Sequence, residues 1–132
     1  MLYKERVRKI DKGIKGIRGA IDVEVDEPQA IFEATKKLLK KILEVNNLQK
    51  ENIINVFFTA THDLKSAYPA RAARDMGWTM IPMMCLQEME VIGSLPRCIR
   101  VLLQVEGYVN KEVKHVYLGK AQQLRPDLSK SV

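Results

Sequence analysis

The clearest pattern in the chain begins at Cys98, where Cys-Ile-Arg-Val-Leu-Leu-Gln-Val alternates from residue to residue as a strand does. Ile99, Val101, Leu103 and Val105 share one face, and Cys98, Arg100, Leu102 and Gln104 share the other. The first face reads as core. The second is neither core nor ordinary solvated surface, because a guanidinium stands between a thiol and a leucine. A permanent charge in that setting faces a partner chain or is kept for an anion. Glu88, near the end of the preceding extended segment, offers a compensating carboxylate.

The remaining elements follow from the same kind of reading. The fold proper is expected to begin near Gly13, with a glycine-rich strand over 13–23 in which Gly16 and Gly19 flank Arg18. Asp26, Pro28 and Gln29 then predict a helix start, with Asp26 as N-cap and Gln29 at the capping-box position. Ile31, Thr35, Leu38, Leu39, Ile42 and Val45 recur at helical spacing up to Asn46 and Asn47, leaving Lys36, Lys37, Lys40 and Lys41 for the solvent side. The apolar run 53–60 predicts a central strand covered on both faces, and 61–66 a loop. A short helix is expected over 68–77, with Pro69 at its first position and Gly77 closing it. Arg71 and Arg74, three residues apart near its start, share one side and suit an anion. A strand over 78–84 should lie near a sheet edge, since Pro82 lacks a ladder donor. After a turn at 93–96 come the alternating strand and a last strand at 115–118. This order predicts a mixed sheet with helices mainly on one face, in an α/β or α+β domain.

Composition narrows the picture. A chain of 132 residues is one domain with room for a proper core. No apolar run reaches the roughly 18 residues a membrane span requires, and a cytoplasmic protein is expected. Cys85 and Cys98 have no metal spacing and are expected to be reduced thiols. The net charge of +6 raises the possibility of nucleic acid, but six basic and two acidic residues among the first fifteen carry +4 of it. A basic arm on a nearly neutral body is not a phosphate-tracking surface. The glycines at 13, 16 and 19 do not match a dinucleotide fingerprint. His62 and His115 fall in separate elements and read as structural, and nothing near Cys85 marks it as a nucleophile.

Several segments, taken together, resemble one family. Gly16-Ile17-Arg18-Gly19-Ala20, Ala60-Thr61-His62-Asp63-Leu64, Trp78 through Cys85, Leu86-Gln87-Glu88-Met89, Cys98-Ile99-Arg100-Val101, His115-Val116-Tyr117-Leu118 and Leu124-Arg125-Pro126-Asp127-Leu128 stand in the order and near the spacing of the small, trimeric, non-helical chorismate mutases. The resemblance implies an α+β trimeric pseudo-barrel spanning 13–129, with a basic arm at 1–12 and a frayed tail at 130–132. It implies a homotrimer whose sites lie between subunits. Arg18, Arg100, Tyr117, Leu124 and Arg125 would come from one subunit, and Tyr68, Ala70, Arg71, Arg74, Met83, Met84, Cys85 and Glu88 from its neighbour. The implied reaction rearranges chorismate to prephenate with no cofactor, no metal and no proton transfer. By the same resemblance Arg100, Glu88, Arg18 and Tyr117 carry catalysis and the others bind substrate. Tyr68 stands where the family has phenylalanine, Arg71 where it has lysine and Met84 where it has a small hydroxylated residue. The segment between Arg74 and Trp78 is one residue shorter. Two other readings are a small-anion-binding or imine-hydrolysing protein on a similar trimeric scaffold and a basic nucleic-acid-binding module. The set Arg18, Glu88, Arg100 and Tyr117 argues against the former.

Overall fold

The computed structural model describes residues 10–110 and 112–129. Five strands and three α-helices follow in the order β1 (Ile10–Asp22), α1 (Pro28–Val45), β2 (Ile53–Ala60), α2 (Pro69–Asp75), β3 (Met83–Gln87), β4 (Cys98–Asn110), β5 (Val116–Leu118) and α3 (Pro126–Ser129). The strands form one mixed sheet in the order β3-β2-β4-β1-β5. β4 pairs antiparallel with both β1 and β2, whereas β3 and β5 lie parallel to β2 and β1 at the two edges. This is the expected α+β sheet with its helices mainly on one face: α1 and α2 cover the main core, while Leu128 of α3 packs on the other side against Ala20 and Tyr117.

The longest pairing sets the frame. β1 and β4 run together from Ile10 opposite Asn110 to Asp22 opposite Cys98. Strand β1 therefore starts at Ile10, before Gly13, because the far end of β4 offers it partners. Residues 1–9, most of the expected arm, and 130–132, the expected tail, lie outside the described residues. Alternation sends Ile17, Ile21, Ile99, Val101, Leu103 and Val105 to the helix side, where they are buried against Ile31, Leu38, Leu39 and Ile42 of α1. Thr35 is tolerated among them because its hydroxyl donates back to the Ile31 carbonyl at 2.7 Å. Gly19 lets this packing close: a Cβ there would meet Ile42 Cδ1 at 2.9 Å and the Val116 carbonyl oxygen at 3.0 Å.

Four local expectations are corrected. Asp26 does not cap α1, since Glu27 holds the N-cap position without a side-chain bond. Asp26 Oδ1 instead accepts from the N–H groups of Lys65 and Ser66, each at 3.0 Å, and from the Ser66 hydroxyl at 2.8 Å. Those donors, the Ser66 hydroxyl first, hold the carboxyl below its ordinary pKa. Gln29 makes no capping box and bonds Glu33 along the helix. β2 lies second from an edge rather than centrally, and helices cover only one of its faces, so Phe57 is exposed. The strand expected over 78–84 begins at Met83. Trp78 is buried and gives its backbone N–H to Ala73, closing α2 rather than joining a ladder. Pro82 contributes its carbonyl to Val56 at 3.0 Å, and the edge position expected for this strand holds.

Gly19→Ala should destabilise the protein by about 1–3 kcal/mol, because one of the obstructing atoms is a backbone oxygen that cannot swing aside. Chemical denaturation of parent and variant at equal protein concentration measures it.

Candidate active site

The face of the sheet away from α1 carries a row of side chains, one from each strand. Register places Leu86 opposite Thr59, Thr59 opposite Arg100, Arg100 opposite Ala20 and Ala20 opposite Tyr117. Arg18, two residues before Ala20 on the same face, lies opposite Leu102 and thus diagonal to Arg100. Ala20 is fully buried between Arg100 and Tyr117 and packs with Cys98, Tyr117 and Ala121 in a small second core. Beyond β5 a 3-10 turn, Gly119–Gln123, delivers Leu124 and Arg125. Arg18, Glu88, Arg100, Tyr117, Leu124 and Arg125 line one cleft of about 410 Å³. An adjoining cleft of about 330 Å³ shares Arg18, Arg100 and Tyr117 and adds Phe57, Thr59 and Leu102.

Glu88 lies with this row. It stands just past β3, its backbone N–H bonded to the Ala60 carbonyl at 2.8 Å. From there its side chain reaches Arg100 of the same chain: Oε2 accepts from Nε at 2.7 Å and Oε1 from Nη2. The Thr59 hydroxyl also donates to Oε2, at 2.5 Å, and the Met89 backbone N–H bonds the carboxylate as well. Within the single chain Glu88 therefore stands with Arg100 and not in the Tyr68 cleft. The end of β3 turns back over β2, which points the carboxylate at β4. Arg100, first, and then Thr59 hold the Glu88 carboxyl below its ordinary pKa against the opposing effect of burial. The pairing likewise raises Arg100, which is a fixed cation.

Side chains bonded to backbone set the aim of these groups. The start of β4 is fixed by Asp63, which accepts the Arg97 N–H at 2.9 and 3.1 Å while Thr61 donates to it at 2.5 Å. Arg97 adopts φ 46 there, a left-handed conformation that its Asp63 bonds and its Nε contact with the Val23 carbonyl at 3.0 Å hold in place. Burial pushes the Asp63 carboxyl up, but the Thr61 and Arg97 bonds outweigh it and the group lies below its ordinary value. At the other edge, buried Asn46 holds the backbone of Lys114 through both its N–H, at 2.7 Å, and its carbonyl, at 2.9 Å. The next residue, His115, accepts the Arg18 N–H on Nδ1 at 3.0 Å. Only a neutral imidazole can do so. Burial first, then the Arg18 and Arg125 charges, lower the His115 pKa. Asp22 accepts the Lys120 N–H at 2.8 Å, and Gly119 at φ +59 leaves that carboxylate the space a Cβ would fill.

The other expected site residues lie elsewhere on the chain. Tyr68, Arg71 and Cys85 line a separate cleft of about 820 Å³ with His62 and Lys65. Tyr68 is exposed, Ala70 is buried in α2, and the Arg71 guanidinium sits 5.8 Å from the Phe32 ring centre. Met83 and Cys85 face α2, whereas Met84 is on the opposite face beside Phe57 and Leu86. Arg74 is exposed at the end of α2 and its charge acts on Cys85. Burial nevertheless raises the Cys85 thiol, and pushes Cys98 up to about 12. Thr59, Ala20 and His115 were not among the candidates. Of these only Thr59 has a signal in the sequence, as the one hydroxyl in the strand Ile53–Ala60.

Arg18, Arg100 and Arg125 line one cleft with Glu88, the carboxylate bonded to Arg100, beside the Cys98 thiol that burial keeps protonated. The family model for chorismate mutase type I matches residues 14–128. The chain is 46% identical over 118 residues to the chorismate mutase AroH of Bacillus subtilis, covering 88% of this chain and 93% of that protein. It is 51% identical over 117 residues to the chorismate mutase AroH of Thermus thermophilus, covering 87% and 96%. A solved chorismate mutase from Clostridium thermocellum superposes with a TM-score of 0.80 at 45% identity, covering 83% of this chain and 98% of that one. The chain belongs to the type I chorismate mutase family, which makes it an isomerase.

His115, buried beside the Arg18 and Arg125 charges, gives a stability signature. Its folded pKa lies below the ordinary 6.5, so the unfolded chain binds the extra proton first. The stabilisation is full above that value and is lost as pH falls through the folded pKa. His115→Gln should flatten the thermal-unfolding midpoint in this window, below 6.5 and above the carboxylate range, relative to the parent.

Proposed function

We propose that this chain converts chorismate to prephenate in a site completed by a second copy of itself. The row on the open sheet face comes from one subunit, and the Tyr68–Arg71–Cys85 cleft from the next, in a cytoplasmic homotrimer. The observation that carries the reading is Arg100, a permanent cation held by Glu88 in the middle of a largely apolar sheet face. Phe57, Leu86 and Leu102 are 36–45% exposed around it in the single chain, a surface that a second copy would cover. Tyr68, Arg71 and Cys85 of the second group line a different cleft of the same chain, which supports a shared site.

The chemistry suits such a site. Chorismate carries two carboxylates and an enol-pyruvyl ether, and its rearrangement breaks a carbon–oxygen bond as a carbon–carbon bond forms within one molecule. Negative charge grows on the ether oxygen as that bond opens. A cation fixed there binds the transition state more tightly than the ground state. Arg100 fills this role with the N–H donors that Glu88 leaves unused. Arg18, assisted by Tyr117, takes a substrate carboxylate through its guanidinium. Glu88 accepts the ring hydroxyl and holds the folded, chair-like substrate.

Charge balance agrees with a dianion. In the first half, Arg18, Arg100 and Arg125 face Glu88 and Asp127, the latter already 2.9 Å from Arg125. Arg71 and Arg74 from the second half raise the excess of positive charge and draw the dianion in. Ala70, Met83, Met84 and Leu124 shape the pocket. Cys85 is a wall, since a thiol raised by burial is a poor nucleophile.

Purified protein should deplete chorismate and form prephenate. Arg100→Ala should lower kcat by at least about 10²–10³-fold, the loss typical of one charge-stabilising donor. Cys85→Ser should stay within several-fold of the parent. Equal rates for parent and Arg100→Ala would remove the electrostatic mechanism, and sedimentation of the parent as a monomer would remove the shared site.

A further inference from the structure

Thr59 makes a contact that the reaction itself does not require. Its hydroxyl is the only one on β2, it stands opposite Arg100 in the sheet register, and it donates to Glu88 Oε2 at 2.5 Å. The same oxygen accepts Arg100 Nε at 2.7 Å, while Oε1 accepts Nη2. A guanidinium and a carboxylate joined side by side fix each other's plane, but the pair can still hinge as a unit on two long side chains. A further bond from a residue on another strand removes that freedom. Threonine is well suited to supply it, because branching at Cβ makes its χ1 stiff.

We propose that Thr59 is a positioning residue for the Glu88–Arg100 pair, anchoring it to β2 so that the Glu88 carboxylate is held in place to receive the substrate hydroxyl. The Glu88 carboxylate is held by Arg100, by Thr59 and by the Met89 backbone N–H, and of these bonds the one from Thr59 ties it to β2. The inference rests on the reading of this site given above, in which Glu88 engages the substrate.

Two consequences separate this role from a merely structural one. Losing the hydroxyl should lower kcat/KM, mostly through kcat, because a loose pair costs alignment at the moment of reaction more than it costs binding. The loss should be about 10- to 100-fold, the range for a hydrogen bond to a charged group. It should also move the Glu88 titration to higher pH, since Thr59 bonds the ionised carboxylate. The charged and titratable groups facing Glu88 are Arg100 and Cys98 on β4, Arg18 on β1, Tyr117 on β5, Arg125 beyond it, and His62, Asp63 and Glu90 on the adjoining loops. Thr59→Val alters none of them, so a displaced midpoint reports the missing hydroxyl.

The test uses the full chain with Thr59→Val, Thr59→Ser and Glu88→Gln, alone and combined. Thr59→Val should show the fall in kcat and Thr59→Ser should restore most of it. In the Glu88→Gln background Thr59→Val should cost less than about threefold, because the hydroxyl acts through Glu88. An undiminished cost in that background, or a serine variant no better than the valine one, overturns the assignment. NMR titration of the Glu88 carboxyl in parent and Thr59→Val needs no turnover. An unchanged midpoint there overturns the anchoring role by itself, whereas failure of the parent to consume chorismate overturns the functional reading and leaves the titration to decide Thr59.

Discussion

The pairing of β1 with β4 is the constraint from which both the core and the site follow. Over the stretch from Ile17 opposite Leu103 to Ile21 opposite Ile99, apolar side chains point together toward α1. The residues between them point the other way, so burying Ile17 and Ile21 fixes where Arg18 and Ala20 project. The same alternation on β4 buries Ile99 and Val101 and turns Arg100 outward. A slip of one residue would exchange the faces of a strand, placing a guanidinium under the helix and an isoleucine in the site. Hydrophobic burial thus specifies the direction of Arg18 and Arg100 without any contact to substrate.

Within that frame, residue size decides what the outer face can hold. Ala20 lies between Arg100 and Tyr117 in the row, and a larger side chain there would separate them or fill the cleft. Phe57, Leu86 and Leu102 surround the cations with apolar surface. When such a surface is covered, the effective dielectric falls and a fixed charge acts more strongly on its target than it would in water. The Glu88–Arg100 pair is correspondingly asymmetric: the Glu88 side chain is 18% exposed and that of Arg100 52%. The carboxylate is inside and the cation faces outward, so the pair presents positive charge to whatever enters.

Much of this was legible in the sequence because it depends on periodicity. The alternation of β4, the apolar stripe of α1 and the Pro69–Gly77 punctuation of α2 are local patterns with one satisfactory burial. What was not legible depends on contacts distant in sequence. Asp26 looks like a helix cap, yet three donors at Lys65 and Ser66 compete for it and win. Trp78 looks like the start of a strand, yet its indole is worth more buried behind α2. The run Ile53–Ala60 reads as buried on both faces because nearly all its side chains are apolar, yet the helices pack on one face alone and leave Phe57 exposed. Glu88 is a further case, since the fold of β3 over β2, and not its place in the sequence, puts it beside Arg100 of its own chain.

The edge strand β5 extends the same principle to parts with little burial of their own. Three residues of sheet are a weak hold, yet β5 must present Tyr117 and lead to Arg125. Its ends are secured by polar side chains that reach backbone: Asn46 on Lys114, the Arg18 N–H on His115, and Asp22 on Lys120. Each bond joins β5 or its flanks to β1 or to the end of α1, so the strand inherits the position of the core. Every one of these anchors ends on a backbone group, and the reactive-looking side chains remain either protonated thiols or a neutral imidazole. That arrangement suits a reaction in which no proton changes hands, where what the protein must supply is charge held still.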